Sequence, residues 1–263
     1  MSISGSLSSA LSGLTAASRA AEIVSSNIAN AATPGYGRRE LLTTARLIGT
    51  TGQGVSVTGV ERHSDPILIG ERRLAQANIA GRDTGMKFLQ SLENALGTPD
   101  SATSMGSRIA DFDSALIEAS SRPESEARLA KVLQSAKALV SQIGSAGTTI
   151  QTARQNADAH IANDVKTVNS ALASIAEING QIRSGSSANR DTSALQDQRQ
   201  QLIDQISGII PLRETKRENG QIALYTVGGA ALLEGKPATF GFQPTGLIFA
   251  GMTQSGGALS GLT

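Results

Sequence analysis

Cysteine is missing from all 263 residues of this chain. Disulfides, thiolate metal sites and a cysteine nucleophile are excluded in one step, and the absence suits a protein that crosses redox compartments. Tryptophan is missing too, and aromatic residues amount to only 3%. So few large anchors leave burial to aliphatic side chains and alanine, a composition that suits long helices better than a compact enzyme. Neither sign of charge dominates, with 23 basic against 22 acidic residues and a formal net charge of +1, so nothing drives the chain toward nucleic acid or an anionic membrane. The apolar runs are far too short to span a bilayer. The N-terminus lacks the basic start, continuous apolar core and cleavage site of a secretory signal peptide, so export would take another route.

Catalytic patterns are equally scarce. The two histidines, His63 and His160, lie far apart and read as structural or solvated. No H-E-x-x-H, P-loop or G-x-S-x-G pattern occurs. Gly52-Gln53-Gly54 lacks the third glycine and the following helix of a nucleotide-binding turn. Asp111 and Asp113 lie two apart and would face different ways on a helix. Asp197 and Asp204 share a predicted helix with Arg190 and Arg199, and read as a solvated face or intrahelical pairs. Arg38-Arg39 and Arg72-Arg73 are pairs rather than a basic stripe with interleaved aromatics. The expectation is a protein with no catalytic, cofactor or metal site and no nucleic-acid partner.

What the chain does have is concentrated in its first forty residues. Ile3, Leu7, Ala10, Leu14, Ala17, Ala21, Val24, Ile28 and Ala31 follow one another in alternating steps of four and three. This is an unbroken heptad stripe on a helix predicted over Ser4–Ala32, roughly 43 Å long at about 1.5 Å per residue. Pro34 disfavours helical geometry at Thr33 and ends it. Packing on its own domain would meet part of the stripe's need for burial. Its period of 3.5 and its small residues favour a seam between helices of an assembly.

The rest of the chain reads as more helix, then a change of period. Thr33-Pro34-Gly35-Tyr36-Gly37 is a turn, and 41–60 looks extended, with Val55, Val57 and Val60 as the buried side of a strand. Asp65-Pro66 starts a long helix, weakened by Gly81 and Gly85 and closed at Gly97-Thr98-Pro99. A shorter helix covers about 104–120. From Glu124 to about Ser184 no proline occurs. Leu129, Leu133, Ala136, Val140 and Ile143, then Ile161, Val165, Val168, Leu172, Ile175, Asn179 and Ile182, mark one long helix with a kink expected near Gly144–Gly147. The lone Asn179 either fixes register or marks a turn loosened by Gly180. A further helix carries Leu195, Leu202, Ile203 and Ile206. After Pro211 the period becomes two, and Asn219-Gly220 between Ile210/Leu212 and Ile222/Leu224/Thr226 signals a hairpin. Further strands are expected near 230–234, 238–242 and 246–250. Residues 256–263 read as a flexible, uncapped stretch of a truncated chain.

These residues carry a resemblance. Ala10-Leu11-Ser12-Gly13-Leu14, then Ser26-Asn27-Ile28-Ala29-Asn30-Ala31 and Thr33-Pro34-Gly35-Tyr36, resemble the N-terminal signature of bacterial flagellar rod, hook and hook-associated proteins. Gly54-Val55-Ser56-Val57-Thr58-Gly59-Val60, with Arg62 and Asp65, continues it. The helical body, Leu195-Gln196-Asp197-Gln198-Arg199-Gln200-Gln201-Leu202-Ile203-Asp204-Gln205-Ile206-Ser207 and Val227-Gly228-Gly229 are similar to the hook-associated branch of that family.

The resemblance implies a structural adapter between hook and filament, exported by the flagellar type III apparatus without a cleaved signal peptide. Its alternatives are a rod or hook component or, less in keeping with the residues, a secreted wall hydrolase. The expected fold is mainly α: an N-terminal assembly helix and an elongated helical bundle, with a small β-rich C-terminal part. The expected segments are 1–32 as inner tube helix, 33–62 as extended connector, 63–210 as helical outer domain and 211–263 as β-hairpin-rich extension. Leu7, Leu14, Val24, Asn27, Ile28, Asn30, Pro34, Gly35 and Tyr36 are the expected assembly contacts. The implied partners are further copies in a ring or helical array, the hook protein, the second hook-associated protein and an export chaperone. Family members pair this helix with a C-terminal one. No such helix follows in this sequence, so the expectation is either a fragment of a longer chain or a seam that finds its partner on neighbouring subunits.

Overall fold

The computed structural model describes residues 3–48 and 51–263. Residues 49–50, inside the stretch expected to be extended, and residues 1–2 of the N-terminal segment lie outside them. Among the described residues the chain is mainly α with a small antiparallel part, as the patterns predict. The order is α1 (Ile3–Ala29), β1 (Arg38–Ile48), β2 (Thr51–His63), α2 (Pro66–Leu96), α3 (Met105–Ser121), α4 (Glu126–Ser187) and α5 (Ser193–Ser207), then β3 (Leu212–Lys216), β4 (Ile222–Thr226), β5 (Ala231–Glu234) and β6 (Lys236–Pro237). Two compact units result. One takes Met1–Asn78 and Thr167–Thr239, the other Ile79–Lys166 and Phe240–Thr263, so α2 and α4 each contribute to both.

In the first unit α1 ends at Ala29, three residues before the expected stop. Asn30 donates from both its backbone N and its side-chain Nδ2 to the Ser26 carbonyl, and the chain then tightens into i→i−3 bonds at Ala31 and Thr33. Asn30 thus caps the last turn upstream of Pro34. The extended stretch is a long antiparallel hairpin, β1 against β2, with Arg38 opposite His63 and register shifts at Leu42/Thr43 and Ala45/Leu47. Val55, Val57 and Val60 are its half-buried side, as the alternation predicts. Asp65 caps α2 as expected, its Oδ1 accepting from Ile67 N at 2.9 Å and Leu68 N at 3.1 Å.

The core of this unit is built on the end of α4. Val168, Leu172, Ile175 and Ile182 are buried, as the second half of the heptad pattern requires. Buried in the same unit are Ile203 and Ile206 of α5 and Leu212, Ile222, Leu224, Leu232 and Leu233 of the sheet β3-β4-β5-β6. Each fully buried large aliphatic here contributes about 1.5–3 kcal/mol. The β3–β4 hairpin forms at Asn219-Gly220, but its loop is longer than a two-residue turn. Glu218–Gly220 make a 3₁₀ turn, with Asn219 and Gly220 both at positive φ and Arg217 N bonded to Gln221 O at 2.8 Å.

The second unit departs from the sequence reading in three places. The first is on α4, which is one long helix through Gly144 and Gly147, as expected, because a helix surrounded by good formers tolerates single glycines at a cost of about 1 kcal/mol each. Its first seam is not the inward face: Leu129, Leu133, Val140 and Ile143 are exposed, and the covered line is Val132, Leu139, Gln142 and Ala146. Residues 238–242 and 246–250 form no strand; Asp158 accepts from Thr245 N at 2.7 Å, and Arg154 donates to the carbonyls of Phe249 and Met252. These side chains take backbone groups that a strand partner would have used. The stretch expected to be loose is tied back as well, by turns over 253–259 and two bonds between Gly241 and Thr263.

Candidate assembly surface

α1 has two heptad lines, and the chain uses the less apolar one. Ser9, Ser12, Ala16, Ala20, Ile23 and Asn27 face β1 and β2, with Ala16 buried and the others half-buried. Small side chains permit close approach, and it is extreme at Gly54. Its φ is +90°, Ser12 Oγ accepts from Val55 N at 3.1 Å, and a Cβ on Gly54 would lie 2.1 Å from Ser12 Oγ and 3.0 Å from Ser9 Cα. The glycine that tempted a nucleotide reading is there so that a strand can touch a helix. Gly54→Ala should cost about 1–3 kcal/mol from backbone conformation alone, with the clash added. The expected result is a lower melting temperature and faster proteolysis within α1. An unchanged melt would mean that the helix does not seat on β2 in this way.

The apolar line faces away. Leu7, Leu14, Val24 and Ile28 are between 54% and 72% exposed, and Ala10, Ala17, Ala21 and Ala31 are exposed beside them. A continuous apolar stripe on a helix pinned by its other side marks a surface meant to be covered.

The other expected contact residues do not share that face. Asn27 turns inward and completes the edge of β1: Nδ2 donates to Arg39 O at 2.8 Å, and Oδ1 accepts from Arg39 N at 2.9 Å and from Tyr36 hydroxyl at 2.9 Å. Tyr36 lies under the Arg39 guanidinium, 4.9 Å from ring centre to Cζ. Pro34 is exposed, and its carbonyl accepts from Gln201 Nε2 at 2.8 Å. Gly35, at φ +82°, passes so close to α5 that a Cβ would lie 2.7 Å from Gln201 Cγ. Asn27, Asn30, Gly35 and Tyr36 therefore hold the turn in place.

The lock on this turn is Asp197. Its Oδ1 accepts from Gly37 N at 3.0 Å and Arg62 Nε at 2.6 Å, and its Oδ2 from Arg39 Nη2 at 2.8 Å. Arg62 Nη2 reaches on to Gly35 O and Gln200 Oε1. Two turns of α5 further along, Asp204 takes Arg72 Nη2 at 2.5 Å and Arg73 Nε at 2.6 Å, and Arg73 also meets Glu214 at 2.8 Å. The solvated face and intrahelical pairs expected for Asp197 and Asp204 are thus wrong. Both carboxylates bind arginines from distant stretches, and the two Arg-Arg pairs supply three of the four. Asp197, Gln200 and Asp204 recur at helical steps, a signal visible in the sequence, but nothing in a sequence shows which arginines they meet. His63 pairs with Glu40 at 3.1 Å on an exposed edge.

Asn179 is a further tie. Its Nδ2 donates to Ile222 O at 2.9 Å, and its Oδ1 accepts from Arg199 Nη1 at 2.8 Å and from Ile222 N at 3.4 Å. The one polar residue of the seam thus pairs with β4 as a strand would. Asn179→Leu should destabilise by about 2–3 kcal/mol, since it orphans buried groups of β4 and a guanidinium donor. Urea unfolding checks this, and an unchanged midpoint would mean the pairing carries no weight.

The first unit thus carries a long helix with one face fixed to a hairpin and an apolar face left bare. Comparison with known proteins then identifies the family. The family model described as the flagellar hook-associated protein FlgK helical domain matches residues 89–243, and the chain belongs to that family. A second model, flagella basal body rod protein, matches residues 7–36, the stretch with α1 and the Pro-Gly-Tyr turn. The chain is 28% identical over 243 residues to flagellar hook-associated protein 1 of Salmonella typhimurium, and 26% identical over 243 residues to that of Escherichia coli, covering 90% of this chain and 44% of each relative. With the Bacillus subtilis protein of that name it shares 26% identity over 240 residues, 87% of this chain and 47% of the relative. The chain therefore spans about half the length of the curated relatives it matches. The solved structure of the flagellar hook junction protein FlgK from Burkholderia pseudomallei shares the fold, with a TM-score of 0.57 and 23% identity over 65% of this chain and 30% of that one.

Proposed function

We propose that the chain is a structural axial component of the bacterial flagellum that acts as an adapter between hook and filament. The observation that carries this reading is the bare apolar stripe Leu7, Leu14, Val24 and Ile28, on a helix whose other face is already occupied. In it residues 4–32 line the inner tube and contact neighbouring subunits. Residues 33–62 connect and meet the hook side. Residues 63–210 form the helical outer domain, and 211–263 the β-rich extension. The partners are further copies in a ring or helical array, the hook protein, the second hook-associated protein and an export chaperone. The site is extracellular, reached without a cleaved signal peptide.

The mechanism is geometric. An adapter must match a bending hook on one side and a stiffer filament on the other, through repeated lateral contacts and no catalytic group. The ties from Asp197 and Gln201 to the turn after α1 would fix the direction in which α1 leaves the body, so each subunit would present its stripe alike. Deletion of the gene, followed by electron microscopy of the cells and a blot of the medium for flagellin, tests the role. Bare hooks with flagellin shed into the medium are the expected result. Loss of hooks as well would move the chain to the rod or hook, and intact working flagella would overturn the reading.

A further inference from the structure

Beside α5, away from the exposed stripe, the first unit contains a cleft of about 230 Å³. Pro66, Ile69, Ile203 and Ile222 give it apolar walls, and Arg199 and Lys216 supply cationic groups. The other charged residues at its margin are already balanced. Arg62 is paired with Asp197, Glu214 with Arg73, and Arg217 with Glu234 at 2.7 Å.

Arg199 differs from them. It is only 7% exposed, yet both its hydrogen bonds run from Nη1 to neutral acceptors, Asn179 Oδ1 and Gly220 O at 2.8 Å each. Among the described residues no carboxylate pairs with it, and neither Nε nor Nη2 meets an acceptor. Lys216, exposed at the mouth, is likewise without an ion-pair partner there. A buried cation without a counter-charge is costly. Burial draws the Arg199 guanidinium down to about 10; Glu214 opposes the fall and Arg62 adds to it. An anion seated beside it would relieve that cost, and a guanidinium presents paired donors suited to a carboxylate.

We propose that this cleft binds a carboxylate carried on a short aliphatic stem, with Arg199 and Lys216 holding the charge and Pro66, Ile69, Ile203 and Ile222 receiving the stem. Sodium butyrate is the probe, titrated into the ¹⁵N-labelled chain against sodium chloride at equal ionic strength while the arginine Nε–Hε resonances are followed. A saturable shift of Arg199 is expected, with the Arg73 signal, closed by Asp204 and Glu214, unmoved. Lys216→Ala, at an exposed position, should keep the fold and weaken the response about fivefold. A linear response matched by chloride, a shift shared by all arginines, or a response that Lys216→Ala leaves intact would overturn the assignment. The same spectra identify the source. An Arg199 shift that grows with chain concentration before butyrate is added assigns the carboxylate to a second copy; a shift seen only with butyrate assigns it to a free small molecule.

Discussion

Replacing Asp197 by alanine is expected to destabilise the first unit by roughly 3–5 kcal/mol, the usual cost of removing one partner from a buried ion pair. The carboxylate is one residue serving three donors: Gly37 N, Arg39 and Arg62. Without it Arg39 Nη2, Arg62 Nε and the Gly37 N–H lose their acceptor, close to a third guanidinium, Arg199, that pairs with no carboxylate among the described residues. Asp197→Asn should cost less, because a carbonyl oxygen still accepts, but it too removes the one carboxylate that, among the described residues, pairs with Arg39 and Arg62. For a chain of this size each kcal/mol moves the melting temperature by about 2–4 °C, so circular dichroism resolves both effects. Hydrogen exchange at Gly37 gives a local readout, and should accelerate more than exchange in the β3–β4 ladder. Equal melts and unchanged Gly37 exchange in Asp197→Ala would show that the turn after α1 is held by other means.

How much of this was legible beforehand depends on the kind of contact. Contacts set by local periodicity came through: the α4 stripe from Val168 to Ile182 is buried, Asp65-Pro66 caps and opens α2, and Asn219-Gly220 turns the β3–β4 hairpin. Contacts in which a side chain stands in for backbone did not. Asn27 finishes β1 and Asn179 pairs with β4, and Asp158 and Arg154 take the backbone groups of 245–252. Such bonds join residues far apart in the chain, and hydropathy carries no trace of them. The first half of α4 failed for another reason. Leu129, Leu133, Val140 and Ile143 satisfy a heptad as well as Val132, Leu139 and Ala146 do, and a pattern cannot say which of two stripes is covered. The same ambiguity on α1 is informative, because there the chain covers the smaller, more polar line and leaves the apolar one bare.

That choice sets up the sharpest test of assembly. Leu14→Asp should leave the chain as stable as before, within about 0.5 kcal/mol, because Leu14 touches little in its own subunit. In an array the same change would remove about 1.5–3 kcal/mol of apolar burial and bring an unpaired carboxylate into an apolar seam, at a further cost of several kcal/mol. Because every subunit carries the change, the losses repeat around the array. The expected outcome in cells bearing the variant in the full gene is soluble, folded protein and no filaments beyond the hook. Ala16→Asp is the matched control: Ala16 is buried against the hairpin, so this variant should lower the melting temperature of the isolated chain, which Leu14→Asp should not. Filaments of normal number and length on Leu14→Asp cells would remove the seam from the assembly mechanism. Loss of filaments with an unaltered melt would place the effect of Leu14 between subunits rather than within one.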